Sequence, residues 1–199
     1  MEKLKHVWPS IEYKEDCINY IKEHIECNSE IHGCGGLNKY LDNYEEWLIK
    51  LEQEKLIEPN EKLVPAETYL LVREEDNKVV GMINIRLTLN ENLKAFGGHI
   101  GYGIRPNERR KGYNKINLYL ALKRCGELGI NEVLLDCSDY NLGSSKTMEA
   151  LGGIRVLEYY NKEYGTVYRY SINVIESLNK YRDIYKPKII NNKKGGITW

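Results

Sequence analysis

A chain of 199 residues, 42% apolar and 29% charged, carries enough apolar material for a substantial core, and its length favours one domain over two. Twenty-nine basic side chains balance twenty-nine acidic ones, so no net field holds nucleic acid or an anionic membrane, and nucleic acid drops out as a default partner. The start, Met1 to His6, has no apolar signal core and no apolar run is long enough to span a bilayer, so the expected location is the cytoplasm, away from membranes.

After Trp8-Pro9, Ser10 is placed to cap a helix in which Cys17, Ile18, Ile21 and Ile25 recur at three- and four-residue intervals. His24, Cys27, His32 and Cys34 follow no familiar zinc spacing. The five cysteines are odd in number and irregularly placed, which predicts free thiols and no metal. Gly33, Gly35 and Gly36 end this helix, and Leu37, Tyr40, Leu41, Tyr44, Trp47, Leu48 and Leu51 mark the stripe of a second, completing a helical pair over about 10–56. From Glu67 the pattern turns to strand. Thr68 to Arg73, a turn at Asp76-Asn77 and Val79 to Leu89 predict an antiparallel hairpin.

The strand-like Gly98-His99-Ile100-Gly101-Tyr102-Gly103-Ile104 contains three glycines, which predicts that something lies close against it. A basic turn, Arg109 to Lys111, leads into a helix from about Gly112 to Leu128 that Gly129 stops. A buried strand over Glu132 to Cys137, a short helix from about Ser144 to Leu151, and strands near Arg155 to Tyr160 and Thr166 to Asn173 complete a domain over 1–176. From Ser177 to Trp199, Lys180, Arg182, Lys186, Lys188, Lys193 and Lys194 face Asp183 alone. This stretch reads as a basic tail with no assigned function.

A strand, a basic glycine turn and a helix start in succession make an anion site, because the first amides of a helix lack internal partners and its dipole is positive there. The turn has neither the triphosphate-loop pattern nor the dinucleotide fingerprint. Arg109-Arg110-Lys111-Gly112-Tyr113-Asn114 instead resembles the pyrophosphate-binding motif [RQ]-x-x-G-x-[GA] of the GNAT acetyltransferases. Arg109 and Gly112 match, and Asn114 departs from the small residue expected. Asn141-Leu142-Gly143-Ser144 is similar to the family's N-x-x-[SA] helix start, and the order of elements agrees from Tyr69 to Asn173. The nearest likeness is to a group of uncharacterised bacterial predicted acetyltransferases, which share the Gly-Gly-His-Ile-Gly-Tyr strand and the helix around Trp47.

The resemblance implies an α/β (α+β) fold, a mixed and mostly antiparallel sheet flanked by helices, with central parallel strands that splay apart to admit the pantetheine arm of acetyl-CoA. It places the backbone of Tyr102 and Ile104 against pantetheine and the amides from Arg110 through Lys111, Gly112 and Tyr113 to Asn114 under the diphosphate. Arg109 and Lys111 would add charge, and Asn141 and Ser144 stand at the next helix start. It implies transfer of acetyl from acetyl-CoA to the amine of an acceptor by direct attack on the thioester.

Such a reaction needs a base, an oxyanion donor and an acid. His99 is the candidate base, since imidazole titrates near neutral pH, while a structural imidazole bonded to a neighbouring strand is the competing reading. The family's usual tyrosine acid is replaced by Met148, leaving Tyr140, Tyr113 or water, or departure of the thiolate without a dedicated acid. Asn84 and Arg86 are placed to line an acceptor pocket. The missing acid leaves a non-catalytic acyl-CoA-binding or regulatory module as the alternative, and a homodimer is left open.

Overall fold

The computed structural model describes residues 2–190. Two antiparallel sheets form the frame. The first has the order β1 (Leu4–Val7), β2 (Ala66–Arg73), β3 (Val79–Arg86) and β4 (Ile100–Ile104). The second has β5 (Glu132–Ser138), then β7 (Gly165–Asn173), then β6 (Ile154–Asn161). Six helices accompany them: α1 (Lys14–Glu26), α2 (Tyr44–Glu54), α3 (Glu91–Ala95), α4 (Tyr113–Glu127), α5 (Leu142–Glu149) and α6 (Val174–Tyr185).

The apolar run of β2 and β3 is nearly continuous because both faces of this hairpin are covered. Side chains alternate across a strand, so Leu70, Val72 and Met82 pack with Tyr20, Ile21 and Trp47 of α1 and α2. Leu71, Ile83 and Ile85 enter a second core with α4, β5 and α6. Helix α4 is buried along its whole middle, Ile116 to Leu122, including Asn117. That amide accepts from His6 Nε2 at 2.8 Å and donates to the Met82 carbonyl at 3.4 Å, which joins α4 to β1 and β3.

Helix α1 starts at Lys14 after a 3-10 turn. Ser10 caps that turn with its carbonyl, which accepts from Tyr13 N–H, and its hydroxyl makes no capping bond. Ile25 is exposed and the buried stripe runs through Cys17, Tyr20, Ile21 and His24. Leu37 opens a 3-10 turn, and α2 itself begins only at Tyr44. Strand β1 has one buried side chain, Leu4, an alternation too short to stand out in the sequence.

The basic stretch from Ser177 is part of the fold through Ile190. Ser177 is buried inside α6, whose start is capped by Asn173 accepting from Glu176 N–H. Tyr185 packs on Tyr119 of α4 with ring centroids 5.1 Å apart, and Ile190 N–H donates to the Leu4 carbonyl at 3.1 Å. The run Asn191 to Gly196 lies outside the described residues.

No ladder joins β4 to β5 among the described residues. The strands touch at the Gly98–Leu135 bridge, with His99 N–H donating to the Leu134 carbonyl at 2.7 Å. A Cβ on Gly98 would stand 2.2 Å from the Leu134 carbonyl oxygen, so only glycine allows this contact. Beyond it lies a gap, the splay expected of the two central strands.

Candidate active site

The gap between β4 and β5 is a cavity of about 290 Å³, walled by Tyr102 on one side and by Leu135, Cys137, Asn141 and Ser144 on the other. Its β4 wall follows from ladder geometry. Bonding alternates along an antiparallel pair. Arg105 N–H donates to the Val80 carbonyl, so Gly103 and Gly101, opposite Met82 and Asn84, are the residues that bond β3. The backbone of Tyr102 and Ile104 therefore faces the gap, although the Ile104 carbonyl already accepts from Arg109 Nε at 3.1 Å. The Tyr102 hydroxyl reaches the Ser144 carbonyl at 3.5 Å, and burial raises its pKa and keeps the phenol protonated. Asn141 Oδ1 caps α5 by accepting from Ser144 N–H at 3.1 Å. Tyr102, Asn141 and Ser144, far apart in sequence, thus share one cavity.

Strand β4 runs on to the turn that opens α4. Gly112 at φ +81° and Arg110 at φ +66° bend the chain so that five consecutive amides, 110–114, have no acceptor among the described residues. The α4 dipole adds positive potential at the same place. A Cβ on Gly112 would meet nothing within 4 Å, so the approach to these amides is open. This is a backbone cradle suited to a phosphate or diphosphate.

The side chains of this turn contribute less. Arg109 Nη2 donates to Ser29 Oγ at 2.6 Å, and Lys111 pairs with Glu108 at 2.7 Å. Burial pushes the Glu108 carboxyl up, but Lys111, Lys78 and Arg73 together hold it at about 2. Arg110 has no side-chain partner among the described residues. Tyr113 donates to Glu2 and accepts from Arg73, which ties it to the N-terminal segment and removes it as a proton donor for the cleft. Asn114 Nδ2 reaches Thr147 Oγ1 of α5 at 3.5 Å, and its Oδ1 is buried with no donor. An orphaned acceptor beside the cradle fits a donor on a bound molecule.

His99, the base expected from the sequence, stands against β5. Leu134 N–H donates to its Nδ1 at 3.0 Å, which takes the single lone pair of the neutral ring and leaves the proton on Nε2. Burial, then the nearby Arg86 charge, lowers its pKa and keeps it neutral. His99 lines neither cavity of this region, and it clasps β4 to β5. Met148 is buried and offers no proton.

The segment after α1 supplies residues that sequence reasoning missed. Ser29 to Gly33 crosses the cleft as a strap, held by Arg109 at Ser29 and by Tyr140, whose hydroxyl donates to Glu30 Oε1 at 3.5 Å. Gly33 lies on β4 so closely that a Cβ would stand 2.6 Å from the Gly101 carbonyl oxygen and from Tyr102 Cα. His32 Nε2 faces Glu30 Oε2 at 3.1 Å, and its Nδ1 has no partner among the described residues. A second cavity of about 460 Å³ opens beneath the strap, bounded by Lys50, Lys62, Asn84 and Arg86. His32, Arg86 and Gly101 line both cavities and mark their junction. Asn84 and Arg86, expected at an acceptor pocket, both line this cavity. Arg86 Nη1 is anchored on the Gly98 and Gly97 carbonyls at 2.9 and 3.3 Å. No signal in the sequence singles out His32 as more than one of four scattered histidines and thiols.

Comparison with known proteins adds a family. A model described as "Acetyltransferase (GNAT) family" matches residues 37–153. No curated protein sequence matches the chain. Among solved structures, Mycobacterium smegmatis RimJ in complex with CoA-disulfide superimposes with a TM-score of 0.70 at 10% identity, covering 92% of each chain. The ribosomal-protein-S5-alanine acetyltransferase from Vibrio fischeri gives 0.64 at 14% identity, covering 87% of this chain and 94% of its own. The microcin C7 self-immunity acetyltransferase MccE, in complex with acetyl-CoA and AMP, gives 0.62 at 16% identity, covering 86% and 92%. At such identities the likeness is one of fold.

Proposed function

The chain belongs to the acetyltransferase (GNAT) family, and we propose that it is an acetyl-CoA-dependent N-acetyltransferase whose two cavities hold donor and acceptor on either side of His32. The run of unpartnered amides at 110–114, at the end of β4 and beside α5, carries this reading. It is a diphosphate cradle joined to a gap that the backbone of Tyr102 and the Ile104 N–H face. MccE, a structural neighbour, is complexed with acetyl-CoA, which supports the choice of donor. When bound, acetyl-CoA supplies an activated acetyl thioester. The net change is one amide for one thioester, and the proton that leaves nitrogen ends on sulfur.

The chain's own groups argue for direct transfer to the amine. Cys137 is the thiol that walls the donor cavity, and burial pushes its pKa up to about 11, which keeps it from acting as a nucleophile near neutral pH. His32, at the junction with an Nδ1 that has no partner among the described residues and an Nε2 that faces Glu30, takes the proton from the acceptor amine in place of His99. The buried Met148 favours a second reading, an acyl-CoA-binding module without turnover. Incubation with acetyl-CoA and a panel of amines, scoring free thiol, separates the two. Release that depends on an amine supports the transferase. Tight CoA binding with no release for any amine supports the module.

A further inference from the structure

Resting on the transferase reading, we propose that the cavity beneath the strap accepts a small amine whose other end carries a carboxylate or phosphate-type anion. Its volume of about 460 Å³ lies in the range of small-molecule sites. The charges around it are unbalanced. Lys50, Lys62 and Arg86 face a single carboxylate, Glu54, and Lys50 already pairs with that group while donating to the Gly35 carbonyl at 3.1 Å. Lys62 has no acidic partner among the described residues. Arg86 donates through Nη1 to two backbone carbonyls, and its Nε and Nη2 have no acceptor there.

The acids on the donor side do not change this balance. Asp136 is held by Arg169 through both oxygens and by the Gly97 amide, and Glu30 lines the donor cavity and not this one, hydrogen-bonded to His32 and Tyr140. The amide groups are neutral and do not offset these cations. Asn90 Oδ1 accepts from Leu93 N–H, while the Asn90 and Asn92 amide nitrogens are bonded to the carbonyls of Asn60 and Glu61. An acceptor with a second ammonium would meet fixed cations and no unpaired carboxylate, whereas an anion would find a guanidinium already oriented by its anchors. Arg86 lines both cavities, so an anion bound to it lies within a few bonds of the reacting amine.

A matched panel tests this: β-alanine, aminoethylphosphonate, propylamine and diaminopropane as acceptors with acetyl-CoA, read by thiol release. The two anionic amines are expected to show kcat/KM at least about tenfold above propylamine, with diaminopropane the poorest. Arg86→Gln should raise KM for the anionic pair about tenfold without changing CoA affinity. Because Arg86 also anchors the Gly97 and Gly98 carbonyls, Lys62→Glu on an exposed loop provides the variant whose effect does not involve the fold, and it should raise the same KM. Preference for propylamine or diaminopropane, or an unaltered KM in Lys62→Glu, would overturn the proposal. If no amine is turned over, calorimetry of the same amines on the CoA-loaded protein decides. Selective binding of the anionic pair, weakened by Lys62→Glu, keeps the pocket and sinks the transferase reading, and no such binding sinks both.

Discussion

Two imidazoles with similar sequence credentials differ in what each nitrogen touches. The lone pair of His99 is taken by the Leu134 amide, a partner thirty-five positions away that nothing in the sequence reveals. His32 Nδ1 has no partner among the described residues, while its other nitrogen faces the Glu30 carboxylate. His99→Ala should therefore act on stability, since it leaves the Leu134 N–H without an acceptor at a cost of about 1–3 kcal/mol. A thermal melt should register that loss while the pH profile of thiol release keeps its shape. His32→Gln should do the reverse, lowering kcat by about a hundredfold with an unchanged melt and CoA affinity. Normal turnover in His32→Gln would remove it as the base.

Among the elements, β4 shows how far sequence reasoning reaches. Its glycines predict a close neighbour, and the neighbour is largely the protein itself. A Cβ on Gly103 would stand 2.8 Å from the Tyr20 hydroxyl and 3.0 Å from the His32 carbonyl oxygen, and Gly101 receives Gly33 of the strap. The strap was illegible because Ser29 to Gly33 has no periodicity and acts only through contacts with Arg109, Tyr140 and β4. Gly33→Ala, which forces a side chain into a left-handed residue packed on the Gly101 carbonyl, should cost about 1–3 kcal/mol and raise the acceptor KM. Steady-state kinetics against acetyl-CoA and acceptor separately would check the second effect. Helix α6 was hidden by the basic excess of the stretch that follows it, although the helix itself balances Lys180 and Arg182 with Glu176 and Asp183. Deleting the chain after Ser177 removes Leu178, Tyr181 and Tyr185 from the core around Tyr119, so circular dichroism should show a lower and less cooperative melt. An unchanged melt would restore the reading of this stretch as a tail.

For the whole molecule, burial sets how stability responds to acid. Burial lowers the pKa of His6 to about 4 against an opposing bond to Asn117, and burial is also the main cause of the lowered values of His24 and His99. In the unfolded chain these rings titrate near about 6.5. Below that pH the unfolded state binds more protons than the folded one, so the stability present above about 6.5 is lost as pH falls toward the folded values. Urea midpoints should drop from pH 7 to pH 5, and His6→Gln, which keeps a donor for Asn117, should flatten the slope. The order of elements from the hairpin to β7 and the basic glycine turn were legible as local patterns. The meeting of Tyr102, Asn141 and Ser144 across the β4–β5 gap was legible only through family resemblance, because it depends on where two sheets part. Titration calorimetry of CoA into the wild type and Gly112→Glu tests the central assignment most directly. The cradle at Gly112 implies one site in the wild type and a loss of about a hundredfold or more in the variant, roughly 2.7 kcal/mol, with the fold retained at a left-handed strain of about 1 kcal/mol. A folded Gly112→Glu that binds CoA as tightly as the wild type would contradict it.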